Sequence, residues 1–154
     1  MKERQTLLEA CGALYYEVIM LDMTVRVLSS KMTNGSFMNK ILLESFLIHL
    51  RNLIDFIYLP KCNKDDILAQ DFFSNPENWA KLRPTLSANL EEAKKNINKL
   101  LSHITYSRLQ MRTEQTTWDF MSLRNEIVLI IQAFINNIPK DIVDTRLLDI
   151  EHFA

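Results

Sequence analysis

The chain has 154 residues, a net charge of −1, two glycines and four prolines. Tight turns consume glycine and proline, so sandwiches, barrels and glycine-loop α/β folds are excluded. With 47% hydrophobic and 24% charged residues, the composition is that of a soluble globular protein, outside the disordered and membrane-spanning classes. One domain over residues 1–154 is expected at this length, built from helices.

The first predicted helix runs from about Thr6 to Lys31. Leu7, Cys11, Leu14, Val18, Leu21, Val25 and Leu28 recur at alternating steps of four and three, a heptad seam. Tyr15, Ile19 and Val27 widen the apolar face, so this helix meets several neighbours. Cys11 lies on the seam as a small core residue. Asn34-Gly35 ends the helix, since both residues tolerate a positive φ.

The second helix starts near Ser36, an N-cap residue type, and stops at Pro60. Ile41, Leu42, Leu43, Phe46, Leu47, Ile48, Leu50, Leu53, Ile54, Phe56 and Ile57 make it apolar nearly all round, which predicts a central position. Its charges, Glu44, Arg51 and Asp55 together with His49, are too many for a lone membrane span. No membrane association is expected. Residues after Met1 form no signal-peptide pattern, so the expected address is the cytoplasm.

Residues 60–84 are long for a helix connection. Asp65-Asp66 can cap a short helix carrying Ile67, Leu68, Phe72 and Phe73. Asn75-Pro76-Glu77 is a second helix start with proline at the first position, followed by Trp79 and Leu82 as packing residues. The connector is expected to lie across the bundle as a lid. Cys62, between Lys61 and Lys64, reads as a loop thiol without a role.

A third helix follows Pro84, with Leu86, Leu90, Ala93, Ile97, Leu100 and Ile104 as its seam and His103 beside it. A fourth spans about Glu114 to Ile138, with Phe120, Leu123, Ile127, Ile130 and Phe134 inside. A short final helix, Lys140 to Phe153, carries Val143, Leu147 and Ile150. The pattern predicts an all-α, up-and-down four-helix bundle with a short helical connector and a short C-terminal helix. Apolar positions beyond one seam on the first and fourth helices point to a homodimer.

Charge is uneven along the chain. Residues 81–112 hold seven Lys and Arg against two Glu, a net of +5. Lys94, Lys95 and Lys99 read as a solvated face or as a basic patch for an RNA backbone. Neither zinc nor di-iron spacing occurs among the Cys, His and Glu residues, so no metal and no cofactor are expected. The polar residues of the second helix are the first candidates for chemistry. Glu44, Arg51 and Asp55 share one side, and Ser45, His49 and Asn52 an adjacent stripe. They read either as a buried ion-pair network that fixes register or as a polar groove in which Arg51 binds an anion while His49 or His103 moves a proton. Lys99, His103 and Tyr106 can share a rim on the third helix, with Asn98 alongside.

The segment Leu43-Glu44-Ser45-Phe46-Leu47-Ile48-His49-Leu50-Arg51-Asn52-Leu53-Ile54-Asp55-Phe56, followed by Asp66 to Phe73, Trp79 and Asn98-Lys99-Leu100-Leu101-Ser102-His103-Ile104-Thr105, resembles a group of small, uncharacterised bacterial helical proteins that in turn resemble the HEPN superfamily. The resemblance covers about residues 40–110. It implies a four-helix bundle that dimerises, in a family where many members are metal-independent ribonucleases of defence and toxin systems. Those enzymes use an arginine followed, after four to six residues, by a histidine. Arg51-Asn52 resembles the start of that motif, yet no histidine follows at that spacing, and Asn98 stands where an arginine would precede His103. Arg146, five residues before His152, is the one literal match. Two functions follow as expectations. One is an HEPN-like interaction or regulatory module without an intact catalytic motif, taking a protein partner in a defence or toxin-type system. The other is a ribonuclease acting on RNA, or a relative binding a nucleotide, with Arg51 offsetting phosphate charge and His103 accepting the 2′-hydroxyl proton. In that second reading His49 and Asn52, Glu44, Asp55, Asn98, Lys99 and Tyr106 complete the site.

Overall fold

The computed structural model describes residues 3–30, 36–60, 63, 65–101, 106 and 118–150. Every regular element among them is helical. Helix α1 spans Arg4–Ser29, α2 Ser36–Tyr58, α3 Pro76–Leu82, α4 Ala88–Leu101, α5 Phe120–Asn137 and α6 Thr145–Leu148. Short 3₁₀ turns occupy Ala69–Phe72 and Lys140–Ile142. The all-α expectation holds. No helix among the described residues is long and apolar enough to cross a membrane.

The heptad seam of α1 is buried as expected. Leu7, Cys11, Leu14, Val18, Leu21 and Val25 are all at most 5% exposed. They join Phe46, Leu50, Leu53, Ile54 and Ile57 of α2, Leu90 and Ile97 of α4, and Ile127, Ile131 and Phe134 of α5 in one continuous core. Chain direction follows from cross-contacts. Glu17 of α1 meets His49 and Asn52 of α2, while Ala10 shares a recess with Phe56, so α1 and α2 are antiparallel. Asp22 meets Arg124 at one end of the α1–α5 pair, and Arg4 meets Asp141 at the other, so this pair is antiparallel too. Phe46 touches Phe120 and Phe56 touches Phe134, so α2 and α5 run parallel. These three helices alternate as an up-and-down arrangement requires.

Helix α2 departs from the expectation of apolar burial all round. Ile41 and Ile48 are each 46% exposed, and Phe37 is 73% exposed. They recur at steps of four and seven, which places them on one outward face.

The connector contributes to the core instead of merely lying over it. Phe72 and Phe73 and the indole of Trp79 are buried around Phe134. The Trp79 Nε1–H and the Arg83 guanidinium both donate to the carbonyl of Ile57, at 3.4 and 3.1 Å. Those bonds satisfy an orphan acceptor at the α2 C-terminus. Asn75 caps α3 through the Glu77 N–H at 3.0 Å, with Pro76 at the first helical position, as predicted. Asp65-Asp66 does not open a helix. The turn begins at Ala69, where the Asp71 carboxylate accepts from the Leu68 N–H. Ile67 and Leu82, expected to pack, are 45% and 51% exposed.

The C-terminal segment breaks at Val143 and Asp144 in place of one continuous helix, although Leu147 and Ile150 are buried as expected. Asp144 caps α6 by accepting from the Arg146 N–H at 2.9 Å, and it binds the Arg146 guanidinium at 3.0 and 2.7 Å. That guanidinium packs against Gly12, where a β-carbon would come within 3.0 Å of it. Arg146 thus serves as a structural clasp between α6 and α1. Its side-chain bonds first, then its backbone N–H, hold the Asp144 carboxyl down to about 2. A carboxylate whose folded value lies below the ordinary ~3.9 stabilises the fold fully above that value and loses its contribution as the pH falls through about 2. At neutral pH, Asp144→Ala should cost about 1 kcal/mol through the lost cap. In acid titrations followed by circular dichroism, the gap between wild type and variant should close as the pH falls from about 4 towards 2.

The Cys11 thiol is fully enclosed and donates to the Ile142 carbonyl at 3.3 Å. Burial pushes its pKa up, consistent with an inert core residue. Cys62 lies outside the described residues.

Candidate functional site

The polar residues of α2 separate to two sides of the helix. His49 and Asn52 face α1. His49 is 8% exposed, and its Nδ1 lies 2.8 Å from Glu17 Oε2. The Asn52 side-chain amide donates to the same oxygen at 3.1 Å. A carboxylate can only accept, so Nδ1 carries the proton and Nε2 is the acceptor of the neutral ring. The Tyr16 ring meets the imidazole edge-on, with centroids 5.7 Å apart.

Arg51 and Asp55 are turned instead towards α4. Arg51 Nε lies 3.5 Å from Asp55 Oδ2, and Lys94 Nζ lies 2.6 Å from Asp55 Oδ1. Residues two apart on a helix do not face one another, so Arg51 and His49 do not converge. Lys94, expected as part of a solvated face, is the partner that brings α4 onto the carboxylate of α2.

Between α1, α2 and the connector lie two adjoining depressions. A cleft of about 390 Å³ is lined by Arg51, Asp55, Asn63 and Asp66, among others. A more apolar recess of about 160 Å³ is lined by Ala10, Ala13, Leu14, Glu17 and Leu53. Asn52, Phe56 and Ile67 belong to both, which makes them one continuous groove. Asn63 and Asp66 are joined there by a backbone N–H bond of 2.8 Å.

Of the predicted site residues, His49, Arg51, Asn52 and Asp55 are gathered around this groove. Glu44 is exposed on α2 and does not line it. Asn98 and Lys99 are exposed on α4. Lys99 borders a separate cleft with Glu91, Glu92 and Lys95, where the charges balance in pairs. Tyr106 is 90% exposed. His103, Arg108 and His152 lie outside the described residues, and so does any meeting of Arg51 with His103. Among the described residues, no cluster of three His, Cys, Asp or Glu side chains could hold a metal.

Two carboxylates were not singled out as site residues in the sequence. Glu17 sits three residues after Leu14 and four before Leu21, on the flank of the α1 seam; that spacing was the available signal. Asp22 follows Leu21 directly. It is 4% exposed and binds Arg124, itself 7% exposed, through bonds of 3.0 and 2.7 Å, while Arg26 holds its other oxygen at 2.6 Å. This pair locks α1 against α5 and takes no part in the groove.

Comparison with protein-family profiles, curated proteins and solved structures finds no match for this chain. The residues of the groove therefore have to carry the functional reading.

Proposed function

We propose that the chain is an HEPN-like interaction or regulatory module without catalytic activity, acting as a homodimer with a protein partner in a defence or toxin-type system. One observation carries this reading. The residues suited to phosphate charge and to proton transfer, Arg51 and His49, lie on different sides of α2, and each is committed to its own carboxylate. A phosphodiester needs both groups at one phosphorus, and the two acidic partners make the surroundings unfavourable to an anion. Support for self-association comes from the outward face of α2, where Phe37, Ile41 and Ile48 are exposed, and from Tyr16 and Met23 of α1, at 55% and 56% exposure. Apolar residues clustered on neighbouring helices mark a protein contact, and a two-fold dimer is the commonest closed solution. The apolar excess thus lies mainly on α2, not on the first and last long helices.

Two experiments test the proposal. Sedimentation should show a concentration-dependent dimer that Ile48→Asp converts to monomer with unchanged helicity; a monomer at all concentrations would remove the claim. RNA incubated with the protein and a chelator should stay intact. If it is cleaved, and His49→Ala or His103→Ala lowers the rate by about 10²–10⁴, the ribonuclease reading replaces this one. That alternative draws its support from the His49–Glu17 pair, the arrangement of an oriented general base.

A further inference from the structure

The groove between α1, α2 and the connector has a chemical polarity that the interaction reading does not use. Its lining holds three carboxylates, Glu17, Asp55 and Asp66, against one guanidinium, Arg51. Arg51 is matched by Asp55, and Lys94 stands behind Asp55 without lining the groove. Glu17 and Asp66 remain without a cationic side chain of their own, since their bonds come from His49, Asn52 and Asn63. Each also spends only one oxygen. Both bonds to Glu17 fall on Oε2, and those to Asp66 fall on Oδ2. Oε1 of Glu17 and Oδ1 of Asp66 make no hydrogen bond among the described residues.

These two carboxylates are not neighbours in the groove. Glu17 lines only the recess and Asp66 only the cleft, and the shared middle is formed by Asn52, Phe56 and the half-exposed Ile67. An acceptor-rich site with a carboxylate at each side and apolar side chains between is complementary to a cation at each end of a hydrocarbon stem. We propose that this groove binds a linear aliphatic diamine or polyamine. One ammonium group donates to Glu17, the other to Asp66, and the methylenes lie along Phe56 and Ile67. An ammonium group has three donors and no acceptor, matching the free carboxylate oxygens. The apolar stem gains from leaving water.

Titration calorimetry on the full chain with putrescine, cadaverine and spermidine tests the assignment, with butylamine, butanediol and magnesium chloride as controls. The amines with two charges should bind with a preferred length. Butylamine should bind at least about tenfold more weakly, since it forfeits one charge-assisted bond, and butanediol should not bind. Glu17→Gln and Asp66→Asn should each weaken binding by about tenfold, and Ile67→Lys should abolish it. Ile67 and Asp66 lie at the surface of the connector, so these two variants decide the matter even if Glu17→Gln disturbs α1 packing. Absence of diamine binding, equal binding of magnesium, or affinities unchanged in Asp66→Asn and Ile67→Lys would overturn the proposal. Such a result would leave the dimer and RNA experiments untouched, because those concern the outward face of α2 and the cleavage of a phosphodiester.

Discussion

Arg124→Ala should destabilise the protein by about 3–5 kcal/mol, the cost of leaving one charge of a buried pair without its partner. Asp22 and Arg124 are almost wholly removed from water, and two guanidinium nitrogens converge on one carboxylate oxygen. Alanine at 124 leaves Asp22 buried with only Arg26, whose side chain is 65% exposed. A double replacement, Asp22→Leu with Arg124→Met, should recover most of the loss, because apolar residues of similar volume remove the desolvation cost together with the attraction. Arg26→Ala should cost at most about 1 kcal/mol, as its charge is largely solvated. Urea denaturation of the four proteins checks the order. If the single and double variants are equally unstable, the pair is not what joins α1 to α5.

Phe134→Ala should cost a similar amount, about 3–5 kcal/mol, through a cavity at the centre of the aromatic cluster. Its ring lies 5.1 Å from Phe56, 5.2 Å from Phe72 and 5.4 Å from Trp79, all edge-on, and Phe73 stacks on Trp79 at 5.5 Å. These rings come from α2, the connector and α5, so the loss is shared by three segments that have few other ties. For a chain of this length the midpoint of thermal unfolding should fall by roughly 10 °C. The near-ultraviolet signal of Trp79 should weaken before the far-ultraviolet helix signal, because the connector depends on this cluster while α1 and α2 pack on each other elsewhere. Simultaneous loss of both signals at an unchanged midpoint would contradict this account.

Part of the candidate site could be read from the chain. Arg51 with Asp55, and His49 with Asn52, are spaced as helix neighbours, and that local spacing survives in the fold. Their partners could not be read. Glu17 is 32 residues from His49, and Lys94 is 39 residues from Asp55; nothing in helical periodicity selects one carboxylate or lysine from another helix. The exposure of Ile41 and Ile48 was likewise hidden. A run apolar on all sides states how much surface could be buried, and only the number and position of neighbouring helices decides which side is left uncovered.

The sequence by itself determined that the chain is helical, where α1 and α2 present their seams, that Asn75-Pro76 starts a helix, and that Cys11 and Trp79 are inside. These follow from periodicity, capping and turn chemistry, which act within a few residues and need no partner. Tertiary structure alone decided that Arg51 and His49 do not share a site, that Glu17 orients His49, that Asp22 and Arg124 form a buried pair, and that the connector's rings complete the core around Phe134. Each of these depends on which helices meet and at what height along them. That is set by the summed packing of the whole chain, a quantity no local window contains.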